Sequence, residues 1–262
     1  MTPRDHRRAM TKHFESLTGA YRMWTVFEAW AECTAIAIAN AVTLPAHPIH
    51  AEREARYLNL IKPDPARAEV FPKILAHLVD ALTLERHDAL GSLFHEHELA
   101  SADRGQFFTP YEVSKFMAGM IFGDGAALRE LVDRQGFVTM SEPACGAGGM
   151  IIAAADAMLE ADLNPQAQLH VTAIDVDSTA AHMAFIQLSL LGIPAIVFVG
   201  NTLSMVMRER FLTPAHVLGG WEWKLRHRDT ERETALPAAP HQAEAPRLPA
   251  GDAQLHLFEA FA

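Results

Sequence analysis

Glu142-Pro143-Ala144-Cys145-Gly146-Ala147-Gly148-Gly149 is the stretch that decides the fold. On its N-terminal side lies a short apolar run, Phe137-Val138-Thr139-Met140, which reads as a strand. On its C-terminal side an alanine-rich run over 150–162 reads as a helix. Strand, glycine-rich turn and helix in that order make a compact site for a nucleotide-like ligand. The glycines let backbone and ligand approach, and the helix N-terminus presents free N–H groups.

Moving outward, Leu169 to Ile174 reads as a second strand, Ser178 to Leu191 as a second helix and Ala195 to Val199 as a third strand. Strands alternating with helices of this length predict βαβ units and a parallel sheet, an α/β fold. The second strand ends in Ala173-Ile174-Asp175-Val176-Asp177. An acidic residue at such a tip can accept hydrogen bonds from both ribose hydroxyls. The plainer role is to cap the next helix. Asp175 is assigned to binding and Asp177 to capping.

The N-terminal part differs. Residues 1–100 read as helices, with no clear strand before 136. Tyr21 to Val42 is rich in Ala, Ile, Met and Trp and predicts a mostly buried helix that Pro45 and Pro48 end. A second helix is predicted over Glu52 to Leu60. A third is predicted from near Pro72, with Ile74, Leu75, Leu78, Val79 and Leu82 at helical spacing. Beyond Asp229 the chain is rich in Ala, Pro, Glu and Arg without apolar period, the pattern of a disordered linker. The expected organisation is a helical region over 1–100, the α/β domain over 101–228, a linker over 229–253 and a docking peptide over 254–262.

Half of the 262 residues are apolar, enough for a sizeable core. With 22 basic and 32 acidic residues the net charge is -10, which argues against blanket electrostatic binding to nucleic acid but not against a local basic patch. Cys33 and Cys145 match no metal or disulfide spacing, so a reduced, cytoplasmic setting is expected. The first residues lack the apolar core of a secretion signal, and no apolar run is long enough to span a bilayer.

Gly105-Gln106-Phe107-Phe108-Thr109-Pro110, the Pro-Ala-Cys-Gly-Ala-Gly-Gly loop and the acidic second strand together resemble the N6-adenine DNA methyltransferases, most nearly the methylation subunit of type I restriction–modification systems. The resemblance covers residues 88–203. It implies a Rossmann-like S-adenosylmethionine-dependent methyltransferase core and DNA as substrate. It also implies that Phe108 and Thr109 fold over the methionine part of the cofactor; Phe107 is assigned to the core, because one of two adjacent aromatics is usually buried. Glu142 and Gly146 would lie near the methionine, Ala144 and Gly148 would complete the loop, and Asp175 would hold the ribose. Where the family binds the adenine amino group with an acidic residue, this chain has Asn201, whose amide carbonyl is the remaining acceptor.

The family's catalytic signature, Asn or Asp followed by Pro-Pro and Tyr or Phe, is missing: the sequence contains no Pro-Pro pair. Asn164-Pro165 precedes the second strand, at the wrong end of a parallel sheet. Between the third strand and the linker there is no room for the family's remaining strands and target-recognition domain. Three explanations stay open: a silent cofactor-binding module that binds DNA or the replication clamp, an atypical catalytic surface, or completion of the site by a second subunit. For an atypical surface the candidate segment is Phe211–Trp223, with His216 as base and Trp221 or Trp223 as stacking platform. The plainer reading is a closing helix and edge strand whose tryptophans pack on the sheet.

Three smaller features complete the sequence. His95, Glu96, His97 and Glu98 read as a solvated helix end, because adjacent helical residues point apart; no residues are assigned to a metal. Arg4, Arg7, Arg8 and Lys12 lie near one helix face, available to phosphates or simply solvated. Gln254-Leu255-His256-Leu257-Phe258 resembles the peptide by which bacterial DNA-processing proteins dock on the replicative sliding clamp, with Gln254 setting register and Leu255, Leu257 and Phe258 as apolar anchors.

Overall fold

The structure is a computed structural model, and it describes residues 1–19, 21–96 and 108–235. The described residues fall into two units, 1–222 and 223–235. The first begins with five helices, α1 (Pro3–Ser16), α2 (Met23–Ala41), α3 (Pro48–Ile61), α4 (Ala66–Leu84) and α5 (Ala89–Glu96). Local chemistry fixes their starts. Thr2 caps α1 reciprocally: its hydroxyl accepts from the Asp5 N–H, and the Asp5 carboxylate accepts from the Thr2 N–H at 2.8 Å. His47 caps α3, with Pro48 in the first turn, so this proline opens a helix besides following one. Pro72, expected near the start of a helix, lies inside α4, on its solvent face. The missing N–H there costs one hydrogen bond, while Phe71, Ile74, Leu78 and Leu82 still bury one stripe.

After α6 (Tyr111–Phe122) and α7 (Ala126–Gln135), neither expected from the sequence, come β1 (Val138–Glu142), α8 (Gly149–Glu160), the short α9 (Pro165–Gln168), β2 (Leu169–Asp175), α10 (Ser178–Leu190) and β3 (Ala195–Asn201). These are the predicted βαβ units, displaced by a residue or two at their ends. The chain then turns back into β4 (Val206–Leu212), followed by α11 (Pro214–Leu218) and the start of α12 (Trp221–Ala235). The sheet order is β1-β2-β3-β4, with β1, β2 and β3 parallel and β4 antiparallel to β3. The fold is thus mixed α/β with a mostly parallel four-stranded sheet.

Burial explains the arrangement. β2 and β3 carry near-continuous apolar residues, as expected of strands covered on both faces. α10 is buried almost all round, including Met183, Phe185, Ile186 and Leu188, because it packs between the sheet and α2. Trp30 of α2 is fully buried and donates its indole N–H to the Phe71 carbonyl at 3.2 Å. Among the described residues no helix is long and apolar enough to cross a membrane. In the second unit α12 continues; its Trp223 is exposed and stacks on His227, one turn on.

Candidate cofactor site

All three parallel strands end on the same side, at Glu142, Asp175 and Asn201. The chain leaves β1 through Pro143 and turns into α8 with two left-handed glycines, Gly146 at φ +52° and Gly148 at φ +93°. A Cβ on Gly146 would stand 2.7 Å from the Phe108 ring. Glycine is therefore required there both by conformation and by space.

The turn is fastened at several points. The Cys145 N–H donates to the Ile174 carbonyl at 2.9 Å and the Gly146 N–H to Asp175 Oδ2 at 2.8 Å. Asp175 Oδ1 accepts the Asp177 N–H at 2.9 Å. Asp177 in turn caps α10 by accepting from the Ala180 N–H, the role assigned to it from the sequence. From below, Gln187 of α10 donates its amide to the Ala147 carbonyl and to Asp88 Oδ1, each at 2.8 Å. The Gln187 carbonyl accepts the Leu90 N–H at 3.0 Å. Thr202, just past β3, donates its hydroxyl to the Pro143 carbonyl at 2.6 Å. The loop is preorganised by backbone and side-chain bonds before any ligand arrives.

Against this loop lies an open cavity of about 150 Å³, lined by Asp88, Phe108, Thr109, Ser114, Glu142, residues 144–147 of the loop, Gly149 and Met150. Phe108 is held edge-on against Phe94, with ring centroids 4.7 Å apart, and its carbonyl lies 2.8 Å from His95 Nε2. Burial pushes the Glu142 carboxyl above its ordinary range, and the nearby charge of Asp175 adds to this. Burial also raises Asp175, against the opposing pull of the Asp177 and Gly146 N–H groups it accepts. Asp88, fully buried, is raised by burial as well, while Gln187 and the Gly91 N–H pull the other way. The Cys145 thiol is pushed well up by burial, as suits an apolar group in the cavity wall. Ser114 Oγ is buried in the cavity wall with no hydrogen-bond partner. An orphaned buried hydroxyl and a cradle that a Cβ would fill both fit a polar ligand lying on the glycine turn.

The structure brings together Phe108, Thr109, Glu142, Ala144 and Gly146, with Gly148 at the start of α8 and Asp175 behind the turn. Asn201 is different. Its Oδ1 accepts from the N–H groups of both Leu203 and Ser204, at 2.9 and 3.2 Å, so the carbonyl read as a free acceptor is used by the β3–β4 turn. His216 and Trp221 are not brought to the loop at all. β4 runs antiparallel, so it carries the chain back to where β2 begins. There His216 is buried with Nδ1 2.9 Å from His170 Nε2, and burial lowers its basicity. Trp221 is fully buried, packed on Phe137 and His170. These two residues pack the sheet at its far end, which corrects their assignment as base and stacking platform.

Asp88, Ser114 and Gln187 were not read as site residues. For Gln187 the available signal was a lone glutamine within the mostly apolar α10, since such groups are buried only with partners. Arg7, read as part of a basic face, pairs with Glu96 at 3.1 Å, whereas Arg4, Arg8 and Lys12 are exposed. Phe107, His97, Glu98, Gln254, Leu255, Leu257 and Phe258 lie outside the described residues.

Residues 89–217 match the family model described as N-6 DNA methylase. That segment, just under half of the chain, is therefore similar to the N-6 DNA methylases, which supports a DNA methyltransferase-like function. No curated protein and no solved structure matches it.

Proposed function

We propose that this protein is an S-adenosylmethionine-dependent DNA methyltransferase acting on the N6 amino group of adenine, in which residues 1–222 supply the cofactor pocket and a second subunit supplies the surface that holds the base. The observation that carries the first half is the Gly146 turn, fastened to Asp175 and opening on the unpartnered Ser114 hydroxyl. When bound, S-adenosylmethionine supplies an electrophilic methyl group on sulfur. The chain's own residues then bind and orient. Gly146 and Gly148 permit close backbone approach. Phe108 covers the turn. Glu142 and Asp175 accept from hydroxyl or ammonium groups, and Ser114 donates to a carboxylate. The second half rests on the absent Pro-Pro signature and on the β3–β4 hairpin, which turns the chain away from the loop where base-binding groups would be needed.

The test uses S-adenosylmethionine labelled on its methyl group with mixed-sequence DNA. The purified chain should bind label without transferring it. The complex isolated from its native cell should place label on adenine N6. Transfer to another base, or none by the complex, overturns the assignment; transfer by the chain alone overturns the need for a second subunit.

From the sequence alone, Gln254–Phe258 is proposed to dock on the sliding clamp. Leu257→Ala with Phe258→Ala should then abolish binding to purified clamp and leave cofactor binding intact; unchanged clamp binding would exclude that role.

A further inference from the structure

α1 and α4 pack along each other in the N-terminal part, and their shared surface gathers imidazoles. His6 comes from α1. His77 and Asp80 come from α4, three residues apart and so on one helix face. The ligating atoms of all three lie within 4.8 Å of one another. His6 Nδ1 is 3.1 Å from His77 Nδ1 and 3.7 Å from Asp80 Oδ2.

We propose that His6, His77 and Asp80 form a binding site for one first-row transition-metal ion of the zinc class, joining α1 to α4. Two imidazole nitrogens and a carboxylate oxygen are the donor set such ions take at three-ligand sites, with water completing the shell. Metal–ligand bonds of about 2.0–2.1 Å in a tetrahedron put neighbouring donor atoms about 3.3–3.4 Å apart. The two observed separations bracket that figure, so small side-chain rotations suffice. Calcium and magnesium are disfavoured, because both want shells built of oxygen. His13, two turns along α1 from His6, stacks on the His77 ring at 5.5 Å between centroids and 26° between planes, and so fixes the orientation of that ring. The competing account of the short His6–His77 separation is a single N–H···N hydrogen bond, which needs no metal.

The exposure pattern makes the site testable. Asp80 is exposed and His77 half-buried, so both can be changed without opening the core, whereas His6 is buried. The full chain, stripped with a chelator, is titrated with Zn²⁺ in a calorimeter and with Co²⁺ in a spectrophotometer, and its melting is followed with and without Zn²⁺. The expected result is one saturable equivalent, the visible absorption of four-coordinate Co²⁺ and a melting temperature raised by several degrees. Asp80→Asn should weaken binding at least tenfold with the metal-free melting temperature of the parent, and His77→Ala should abolish binding in the folded protein. No saturable binding, or binding unchanged in both variants, overturns the site.

Discussion

The two ends of the sheet are built from the same strands and do opposite things. At the end where β1, β2 and β3 finish, the chain presents glycines, carboxylates and an unpartnered hydroxyl around an open cavity. At the end where they begin, His170, His216, Phe137 and Trp221 close on one another. Parallel strands gather helix N-termini and loop backbones at their C-terminal ends, so a ligand site belongs there. The other end is available for packing. The antiparallel β4 decides which residues go where: by turning back, it sends the His216–Trp221 segment to the packing end.

The largest effect should separate the two ends. Trp221→Ala removes a fully buried indole and should cost about 3–5 kcal/mol of stability in denaturant melts, with cofactor affinity of the folded protein unchanged. Loss of affinity in a fully stable Trp221→Ala protein would break the contrast. Next, Gly146→Asp should lower S-adenosylmethionine affinity more than hundredfold in calorimetry, because the new side chain meets the Phe108 ring and the cofactor's space, while circular dichroism stays native.

Acid should act on buried histidines. His182, under β4 against Phe211, is held down by burial to about 4 from an ordinary 6.5, and His216 is lowered in the same direction. A depressed folded-state value means that the unfolded chain takes up protons first. Stability is therefore fully present above about 6.5 and is lost as pH falls toward about 4. The loss assigned to His182 should be about 2 kcal/mol by pH 4.5, read by denaturant melts, and His182→Phe should flatten it. Asp175→Asn should weaken cofactor binding about tenfold, since the Gly146 N–H and the proposed ribose contact share that carboxylate. Smallest of all, Ser114→Ala should weaken binding a few-fold without loss of stability, because the hydroxyl has no protein partner to lose.

What was legible in the sequence followed from local rules. The Gly146 and Gly148 turn, the Asp177 cap and the alternation of β1 to β3 with α8 and α10 each reflect chemistry between neighbours in the chain. What was not legible depended on contacts between distant residues. β4 reads Val-Met-Arg-Glu-Arg-Phe-Leu and buries only Phe211, so its charges hide an edge strand that pairing with β3 makes. Asp88 and Gln187 meet across 99 positions, and His6 meets His77 across 71. The roles given to His216 and Trp221 failed for one reason: residue type suggested chemistry, while the direction of a single strand put them at the wrong end.

A crystal structure of the full chain grown with S-adenosylhomocysteine tests the central claim most directly. The account predicts density for the ligand on the glycine turn, its amino-acid end beside Ser114 and Glu142 and its ribose toward Asp175. Ligand bound elsewhere, with the cavity beside Gly146 empty, would contradict it.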